Sequence, residues 1–364
     1  MRMVIEKRKS VSRKAIYIVP IASFVSALIL GSILLLITGV NPITTYAAMI
    51  KGAFGSMHAL SETLVKATPL MLTGLGVAIA FRMRFWNIGA EGQFVFGGIA
   101  GAGIALFFSE IIPSWLVLPM ALVGGMLAGA LWAGIPAALN AYLGINESLT
   151  TLMLNYVAVL FASYLYYGPW RDPLGFGFPG TARFPEEAWL PRIFGRVHFG
   201  MIFALIAALI LWFILNRTRW GFELKVIGEN KTTAKYLGIK ISKNIVVALL
   251  LSGAISGLGG ASEVTGISRR LQAGLAVGHG YTAIIVAWLA QLNPIAVIFV
   301  AIMMAALLVG GDQVQITMGL PAAVGLVLQG LILFPMLAGS LFTEYRLKII
   351  RPDTPPSKER ESEA

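Results

Sequence analysis

The sequence contains no cysteine and few charged residues, and both absences limit what the protein can be. Of its 364 residues, 12% are charged and 57% are hydrophobic, whereas a soluble domain typically has about 25% charged residues. Without cysteine, the chain has no disulfide, no thiolate-bound metal cluster and no thiol nucleophile. The composition therefore excludes soluble enzyme classes and indicates an integral membrane protein.

Several catalytic motifs are missing as well. The chain has no P-loop of the form GxxxxGKS or GxxxxGKT, no HExxH pair and no GxSxG segment. Its three histidines, His58, His198 and His279, are far apart. We therefore expect no catalytic residue, no metal site and no cofactor in this chain, so any ATP coupling requires a partner protein. The 28 Lys and Arg against 17 Asp and Glu are typical of basic cytoplasmic loops, and no nucleic-acid partner is expected.

The predicted fold is all-α, a polytopic membrane helix bundle of about ten transmembrane helices, or eight if two short segments are re-entrant. About 20 apolar residues are needed per crossing, and the apolar segments are 15–38, 60–81, 93–108, 115–139, 150–167, 199–215, 245–264, 281–291, 294–309 and 320–342. Residues 15–343 would form a single transmembrane domain between a basic N-terminus, 1–14, and a charged tail, 344–364. Glycine-rich runs at 97–103 and 256–262 favour close helix packing.

Two apolar stretches, 69–81 and 281–291, are too short to cross the hydrocarbon core alone. Such stretches are typical of discontinuous helices that line a watery cavity. Each also fits the apolar half of an ordinary tilted helix, and the two interpretations stay open at this stage.

The basic residues predict the orientation. With both termini cytoplasmic, 20 Lys and Arg residues fall inside and eight fall outside, which agrees with the positive-inside rule. The cytoplasmic loop 216–244 alone carries seven of them, and the loop 168–197 is expected outside.

Three polar segments interrupt the apolar pattern. In Phe81–Gly98, Phe85, Trp86, Asn87, Glu91 and Gln93 are candidates to line a translocation pathway. The alternative is structural: Asn87 caps the next helix and Glu91 lies in its first turn, where the helix dipole favours an anion.

The second segment, Ile145–Phe161, places Asn155 inside the membrane. A buried amide needs a partner, so Asn155 either bonds another helix or faces the pathway. The third segment, Gly228–Ile239, reads GENKTTAKYLGI, and Glu229 or Asn230 can begin a short helix there that Gly238 ends. This helix would pack on the chain's own helix ends or fit a groove in a soluble partner through Ala234, Tyr236 and Leu237.

Together the three segments resemble the permease subunits of bacterial ABC importers in the branched-chain amino acid, ribose and nucleoside superfamily. FWNIGAEGQ at Phe85–Gln93 is similar to the FNIGAEGQ signature of the nucleoside and simple-sugar branch. NESLTTLMLNYVA at Asn146–Ala158 resembles the family's NEV-TTLMLNYIA segment, and GENKTTAKYLGI resembles its GENPxAAxYAGI motif. The resemblance runs in order from about Leu60 to Leu333.

The resemblance implies a type II ABC importer permease fold and a subunit that forms half of the pathway for a nucleoside or simple sugar, working by alternating access. It implies these partners: cytosolic ATPases that bind ATP and magnesium, a second permease (identical or different), an external binding protein or lipoprotein, and lipid. It places the protein in the bacterial plasma membrane. The implied coupling helix comprises Gly228, Glu229, Asn230, Ala234, Tyr236, Leu237 and Gly238.

The chain departs from the family pattern at Gly278–Pro294, which reads GHGYTAIIVAWLAQLNP where the family reads like GYGFTGIAVALLGRNHP. Trp288, a bulky residue in a normally aliphatic region, therefore joins the pathway candidates, and the solute assignment stays open. The competing functions are a self-sufficient secondary transporter or channel for a small polar solute, and a membrane-embedded enzyme or scaffold. The loop Gly168–Val197 is expected to help dock the binding protein, and the tail after Arg351 is expected to be disordered.

Overall fold

The computed structural model describes residues 2–7, 13–319, 327–328, 330–331, 334–335, 338–339 and 345–350. Between residues 13 and 319 the chain forms twelve α-helices, which give the predicted all-α bundle. They are α1 (Arg13–Ile37), α2 (Pro42–Phe54), α3 (Met57–Arg82), α4 (Ala90–Phe107), α5 (Ser114–Leu143), α6 (Glu147–Tyr167), α7 (Gly200–Arg217), α8 (Arg219–Glu229), α9 (Lys231–Tyr236), α10 (Ile241–Glu263), α11 (His279–Leu289) and α12 (Pro294–Met318). Four short strands are β1 (Arg2–Lys7), β2 (Arg192–Phe194), β3 (Val197–His198) and β4 (Tyr345–Ile350).

Among the described residues, seven helices are long and apolar enough to cross a membrane: α3, α4, α5, α6, α7, α10 with its π-helical extension Val264–Ser268, and α12. An eighth span results if Val25–Ile37 and α2 are counted as one broken span. The predicted count of about ten is therefore not confirmed. The short predicted segment 281–291 is present as the 11-residue α11. Of the predicted tenth span, 320–342, the structure describes eight residues: 327–328, 330–331, 334–335 and 338–339.

Of the two interpretations of the segment 69–81, the structure supports the second, in which it is part of a continuous helix. Helix α3 runs through Pro69 as one 26-residue helix, although proline removes a backbone donor from the helix interior. The Thr73 hydroxyl donates to the Pro69 carbonyl at 2.6 Å, and neighbouring helices bury this part of α3. Packed neighbours and side-chain hydroxyls of this kind make proline tolerable within a membrane helix.

The chain divides into two compact units. The smaller unit comprises the described residues of 1–45 and 320–364, where β1 pairs with β4 in antiparallel register from Arg2 opposite Ile350 to Lys7 opposite Tyr345. The larger unit, 46–319, contains the long helices from α3 to α12. The β1–β4 pairing was not predicted from the sequence.

Glycines bring α4, α5 and α10 into direct backbone contact within the larger unit. A Cβ atom on Gly97 of α4 would lie 2.2 Å from the Gly257 oxygen of α10, and one on Gly257 would lie 2.2 Å from the Gly125 oxygen of α5. Gly129 and Gly253 approach each other in the same way. The glycine-rich runs therefore do what the sequence predicted, because only a residue without a side chain allows helices this close.

Candidate functional site

The loop between α3 and α4 returns a polar segment into the helix bundle. Asn87 is fully buried, and its amide nitrogen donates to the Ser252 hydroxyl of α10 at 3.2 Å. Its oxygen accepts from the Gly89 backbone at 3.0 Å and from the side chain of Gln93 at 3.1 Å. Gly89, not Asn87, is the N-terminal cap of α4. Asn87 therefore fixes the loop against α10 instead of capping the helix.

Asn155 of α6 closes the same polar network from the other side. Its oxygen accepts from the Gly92 backbone at 2.8 Å, and its nitrogen donates to the Ile88 carbonyl at 2.8 Å and to the Tyr281 hydroxyl at 3.2 Å. The side chain is buried, and its amide is satisfied by the protein. This is the helix-to-helix bonding that the sequence offered as one of two interpretations.

Glu91 holds the start of the short helix α11. Its two carboxylate oxygens accept from the backbone amides of Gly278 at 2.8 Å and Gly280 at 2.5 Å. The first amides of a helix have no partner within the helix, and the helix dipole attracts an anion there. The sequence placed Glu91 correctly in the first turn of α4, but the helix end that it binds is that of α11.

Two tryptophans differ from the other predicted pathway residues because they are exposed. Trp86 is 46% and Trp288 is 43% exposed, whereas Phe85 is buried. The rings of Trp86 and Trp288 are 5.8 Å apart, and both contact Phe81, at 5.3 and 6.0 Å. The sequence did not place Phe81 in this group. Together the three rings form an aromatic cluster next to the buried polar network.

The predicted coupling residues form a small projecting element. Asn230 caps α9 by accepting from the backbone amides of Thr232 and Thr233 at 2.8 and 3.1 Å, and Gly238 ends the segment at a φ of +73°, a conformation that glycine adopts readily. Ala234 is buried, while Tyr236 is 88% and Leu237 is 59% exposed. The short helix therefore presents two large apolar side chains to its surroundings.

This element stands on α8, a helix that the sequence did not predict. A Cβ atom on Gly228 would lie 2.3 Å from the Arg82 carbonyl at the end of α3. The Arg82 guanidinium donates to the Leu215 carbonyl and to Asn216 at 3.2 and 3.1 Å. Glu229 of α8 is two-thirds exposed and pairs with Lys225. The base of the projecting element is thus in backbone contact with the helix that leads into the Trp86–Asn87 loop.

The loop Gly168–Val197 is folded against the ends of the helices. Backbone bonds join it to the segment after α10, from Thr181 to Leu271 and from Phe184 to Arg269, both at 2.8 Å. Two guanidinium groups contact the Trp189 ring, with Arg183 at 4.8 Å and Arg269 at 3.8 Å from the ring centre. These backbone bonds and the cation–π contacts of Trp189 hold this part of the loop in place.

The base of this loop is buried, whereas its tip is exposed. At its base, burial and the positive charge of Arg192 lower the pKa of His198 to about 4. At its tip, Leu174 is 83%, Phe176 is 97% and Phe178 is 75% exposed. Exposed apolar side chains at the tip of a folded loop are typical of an interaction site.

No group of three acidic or histidine side chains in the described part of the chain could hold a metal ion. Sequence reasoning missed two hydrogen-bond partners: Ser252, which binds Asn87, and Tyr281, which binds Asn155. Each is one polar residue within a largely apolar helix. Sequence reasoning also missed Lys66 of α3 and Asp312 of α12, which form an ion pair within the helix bundle.

The comparisons with known proteins agree on one family. The glucose ABC transporter permease protein TsgB13 of Haloferax volcanii is 34% identical over 95% of this chain and 93% of its own length. The guanosine ABC transporter permease protein NupP of Bacillus subtilis is 34% identical over 89% of this chain and 94% of its own length. The nucleoside ABC transporter permease protein NupB of Lactococcus lactis is 30% identical over 87% of this chain and 89% of its own length. Residues 59–337 match the model of the family described as branched-chain amino acid transport system / permease component, and the chain belongs to that family.

Proposed function

We propose that this chain is one of two membrane permeases of an ATP-driven importer, and that its solute is a nucleoside. The observation that carries this proposal is the projecting element at Asn230–Gly238, whose Tyr236 and Leu237 are exposed and would enter a groove of a soluble partner. The partner in this proposal is a cytosolic ATPase subunit that binds ATP and magnesium, since this chain has no P-loop.

The proposed orientation places both termini and α8–α9 in the cytoplasm. The seven basic residues of loop 216–244 support it, because positive charge accumulates on the cytoplasmic side of a membrane. The same orientation places the loop Gly168–Val197 outside, where an external binding protein would deliver the solute.

The contact between Gly228 and Arg82 supports a route for coupling. When ATP closes the two ATPase subunits, the movement of α9 passes through α8 to the end of α3. That end continues into the loop that carries Trp86 and the buried polar network. The pathway would then open alternately to the two sides, with a second permease, identical or different, forming the other half.

The aromatic cluster supports a nucleoside as solute. Trp86 and Trp288 present indole rings that are nearly half exposed, and a nucleobase stacks on such rings with a gain of about 1–3 kcal/mol per base. In this proposal these two residues contact the solute, while Phe85, Asn87, Glu91, Gln93 and Asn155 position the wall behind them. A simple sugar is the second candidate, because the relative from Haloferax volcanii carries the name of a glucose permease.

The loop tip at Leu174–Phe178 would contact the binding protein. Because Asp172 closes the base of the tip by a backbone bond to Gly180 at 2.9 Å, the tip can be altered without disturbing the docked part of the loop. Replacing Phe176 and Phe178 with serine should raise the concentration of binding protein needed for half-maximal uptake. If this concentration is unchanged, the tip has another role.

Purification of the tagged chain from its native membrane in mild detergent tests the proposal directly. We expect an ATPase and a permease partner in stoichiometric amounts, identified by mass spectrometry, and ATP-dependent guanosine uptake after reconstitution of the complex. A homo-oligomer that moves solute down its gradient without any ATPase would overturn the proposal in favour of a self-sufficient carrier.

Variants of the projecting element test the coupling role. Tyr236→Ala should reduce uptake at least about tenfold and leave ATP hydrolysis unresponsive to solute, since truncating an anchor at an interface costs about 2 kcal/mol. Gly238→Val should do the same by straining the turn at positive φ. Tyr142→Ala is the matched control, because Tyr142 is 71% exposed at the end of α5 and lies outside the element. If Tyr236→Ala and Tyr142→Ala behave alike, α9 does not couple the ATPase to transport.

A further inference from the structure

A cavity with charged side chains on its wall lies between α2, α3 and α12, away from the aromatic cluster and the projecting element. Its volume is about 450 Å³, within the 300–1,000 Å³ that is typical of small-molecule sites. The polar side chains on its wall include Lys51, Glu62, Lys66, Asp312 and Gln313. None of the pathway residues predicted from the sequence lines it.

The cavity contains an ion pair inside two membrane-spanning helices. Lys66 of α3 binds Asp312 of α12. At 1.5 Å per residue, Lys66 lies about 14 Å from the first residue of α3, and Asp312 lies about 9 Å from the last residue of α12. Both residues therefore lie within helices that are long and apolar enough to span a membrane, and charged residues within such helices often mark a solute or ion pathway.

The ion pair is open to the cavity and is not sealed by packing. The side chains of Lys66 and Asp312 are 36% and 62% exposed. Among the described residues, the Asp312 carboxylate has one hydrogen-bond partner, Lys66. This pair keeps free donor and acceptor positions that face a space of solute size.

The walls of the cavity are held in place by close helix contacts. A Cβ atom on Gly52 of α2 would lie 2.4 Å from Gln313, and one on Gly310 of α12 would lie 3.0 Å from Met49. The Thr63 hydroxyl of α3 donates to the Ala53 carbonyl of α2 at 2.8 Å. The cavity therefore has its shape before any solute enters, which lowers the cost of binding.

We infer that this cavity is a second solute-binding site on the transport route, which recognises hydroxyl groups of a pentose or hexose. The inference rests on the proposed import function and adds a site to it. The Lys66 ammonium donates, the Asp312 carboxylate accepts, and the Gln313 amide does both, so the set matches neighbouring hydroxyls, each of which is donor and acceptor. In the proposed orientation the cavity lies in the external half of the membrane, where a solute would enter.

Kinetics of the reconstituted importer test this site. We expect Lys66→Met and Asp312→Asn to raise the KM for radiolabelled guanosine or glucose at least about tenfold, which is the effect of losing one hydrogen bond to a charged group. The double variant Lys66→Asp with Asp312→Lys keeps the ion pair between α3 and α12. It moves the ammonium and the carboxylate, whose side chains differ in length, to new positions, so hydroxyls placed for the native arrangement lose their bonds and KM should stay raised. If the exchange restores the wild-type KM, the pair only joins α3 to α12 and the inference is wrong. Lys243→Met is the control for loss of a lysine outside the cavity.

Because the chain has no cysteine, an introduced thiol reports solute binding directly. Gln313→Cys in the assembled importer should react with a methanethiosulfonate reagent, and guanosine or glucose at saturating concentration should slow this reaction. Glu110→Cys, on an exposed turn, should react at the same rate with and without solute. If solute does not protect Gln313→Cys in a complex that imports it with ATP, the cavity is not a solute site, although the import function stands.

Discussion

Replacing Glu91 with glutamine should release the start of α11 from α4. The carboxylate accepts from the amides of Gly278 and Gly280 at 2.8 and 2.5 Å, and a glutamine keeps only one acceptor oxygen. The other position becomes an NH2 group that opposes a backbone donor. Losing one charge-assisted bond and leaving a buried donor unpaired costs about 2–4 kcal/mol. The population in which α11 is detached should therefore increase between about 30- and 1,000-fold.

A single buried thiol measures this population. Ala283 of α11 is fully buried, so Ala283→Cys should react with a small maleimide only when α11 moves away. When Glu91→Gln is added, the maleimide reaction should be about 30- to 1,000-fold faster, like the detached population. This holds when α11 detaches and returns quickly compared with the reaction. ATP-driven uptake should fall in parallel, because α11 carries Trp288.

The matched control is Glu147→Gln in the same Ala283→Cys background. Glu147 also lies in the first turn of a helix, but its carboxylate accepts from the Asn140 side chain, at 2.9 Å, and from no other residue that the structure describes. Its replacement should leave the reaction rate unchanged. A rate for Glu91→Gln within twofold of that control would refute the reasoning that one carboxylate holds α11.

Three further predictions concern pH, packing and solute choice. Burial lowers the pKa of His198 to about 4, so the unfolded chain binds a proton near pH 6.5 that the folded chain does not. The free energy of unfolding should therefore fall by about 3 kcal/mol from pH 7 to pH 4, measured by thermal unfolding in detergent and absent in His198→Asn. The Gly257→Ala variant should be less stable by about 3 kcal/mol, because the new Cβ atom would collide with the backbone of α5. The Gly134→Ala variant should be affected far less, because its Cβ atom would contact the end of the Leu250 side chain. Trp288→Ala should raise the KM for guanosine about tenfold by removing a stacking surface, whereas Trp115→Ala, at an exposed position on α5, should not.

Long apolar runs made the membrane helices predictable. Helices α5 and α7 begin and end within a few residues of the apolar segments. Helix α12 begins where its apolar segment begins, but it continues through Gly311–Met318, where polar and apolar residues are mixed. Helix α8 was missed because Arg219–Glu229 is short and mixes charged with apolar residues. Such a helix is held by tertiary contacts, here the approach of Gly228 to Arg82.

The site was predictable where its residues are neighbours in sequence. The motif at Asn87–Gln93 could be identified as a polar turn, and the cap at Asn230 follows from local rules. The partners of Glu91 could not be predicted, because Gly278 lies 187 residues away. The pair of Lys66 and Asp312, 246 residues apart, was missed for the same reason: a single sequence does not say which helices are adjacent.

The direct backbone contacts among α4, α5 and α10 have a mechanical consequence. Side chains absorb small displacements by changing rotamer, but peptide groups in van der Waals contact have no such compliance. These three helices therefore move as one stiff body. Opening and closing must be taken up at its border, where α11 is held by the Glu91 carboxylate and the chain before it turns at Gly274 and Gly278, with φ of +101° and +90°. In this protein, the glycines inside the bundle confine motion, and those in the segment before α11 permit it.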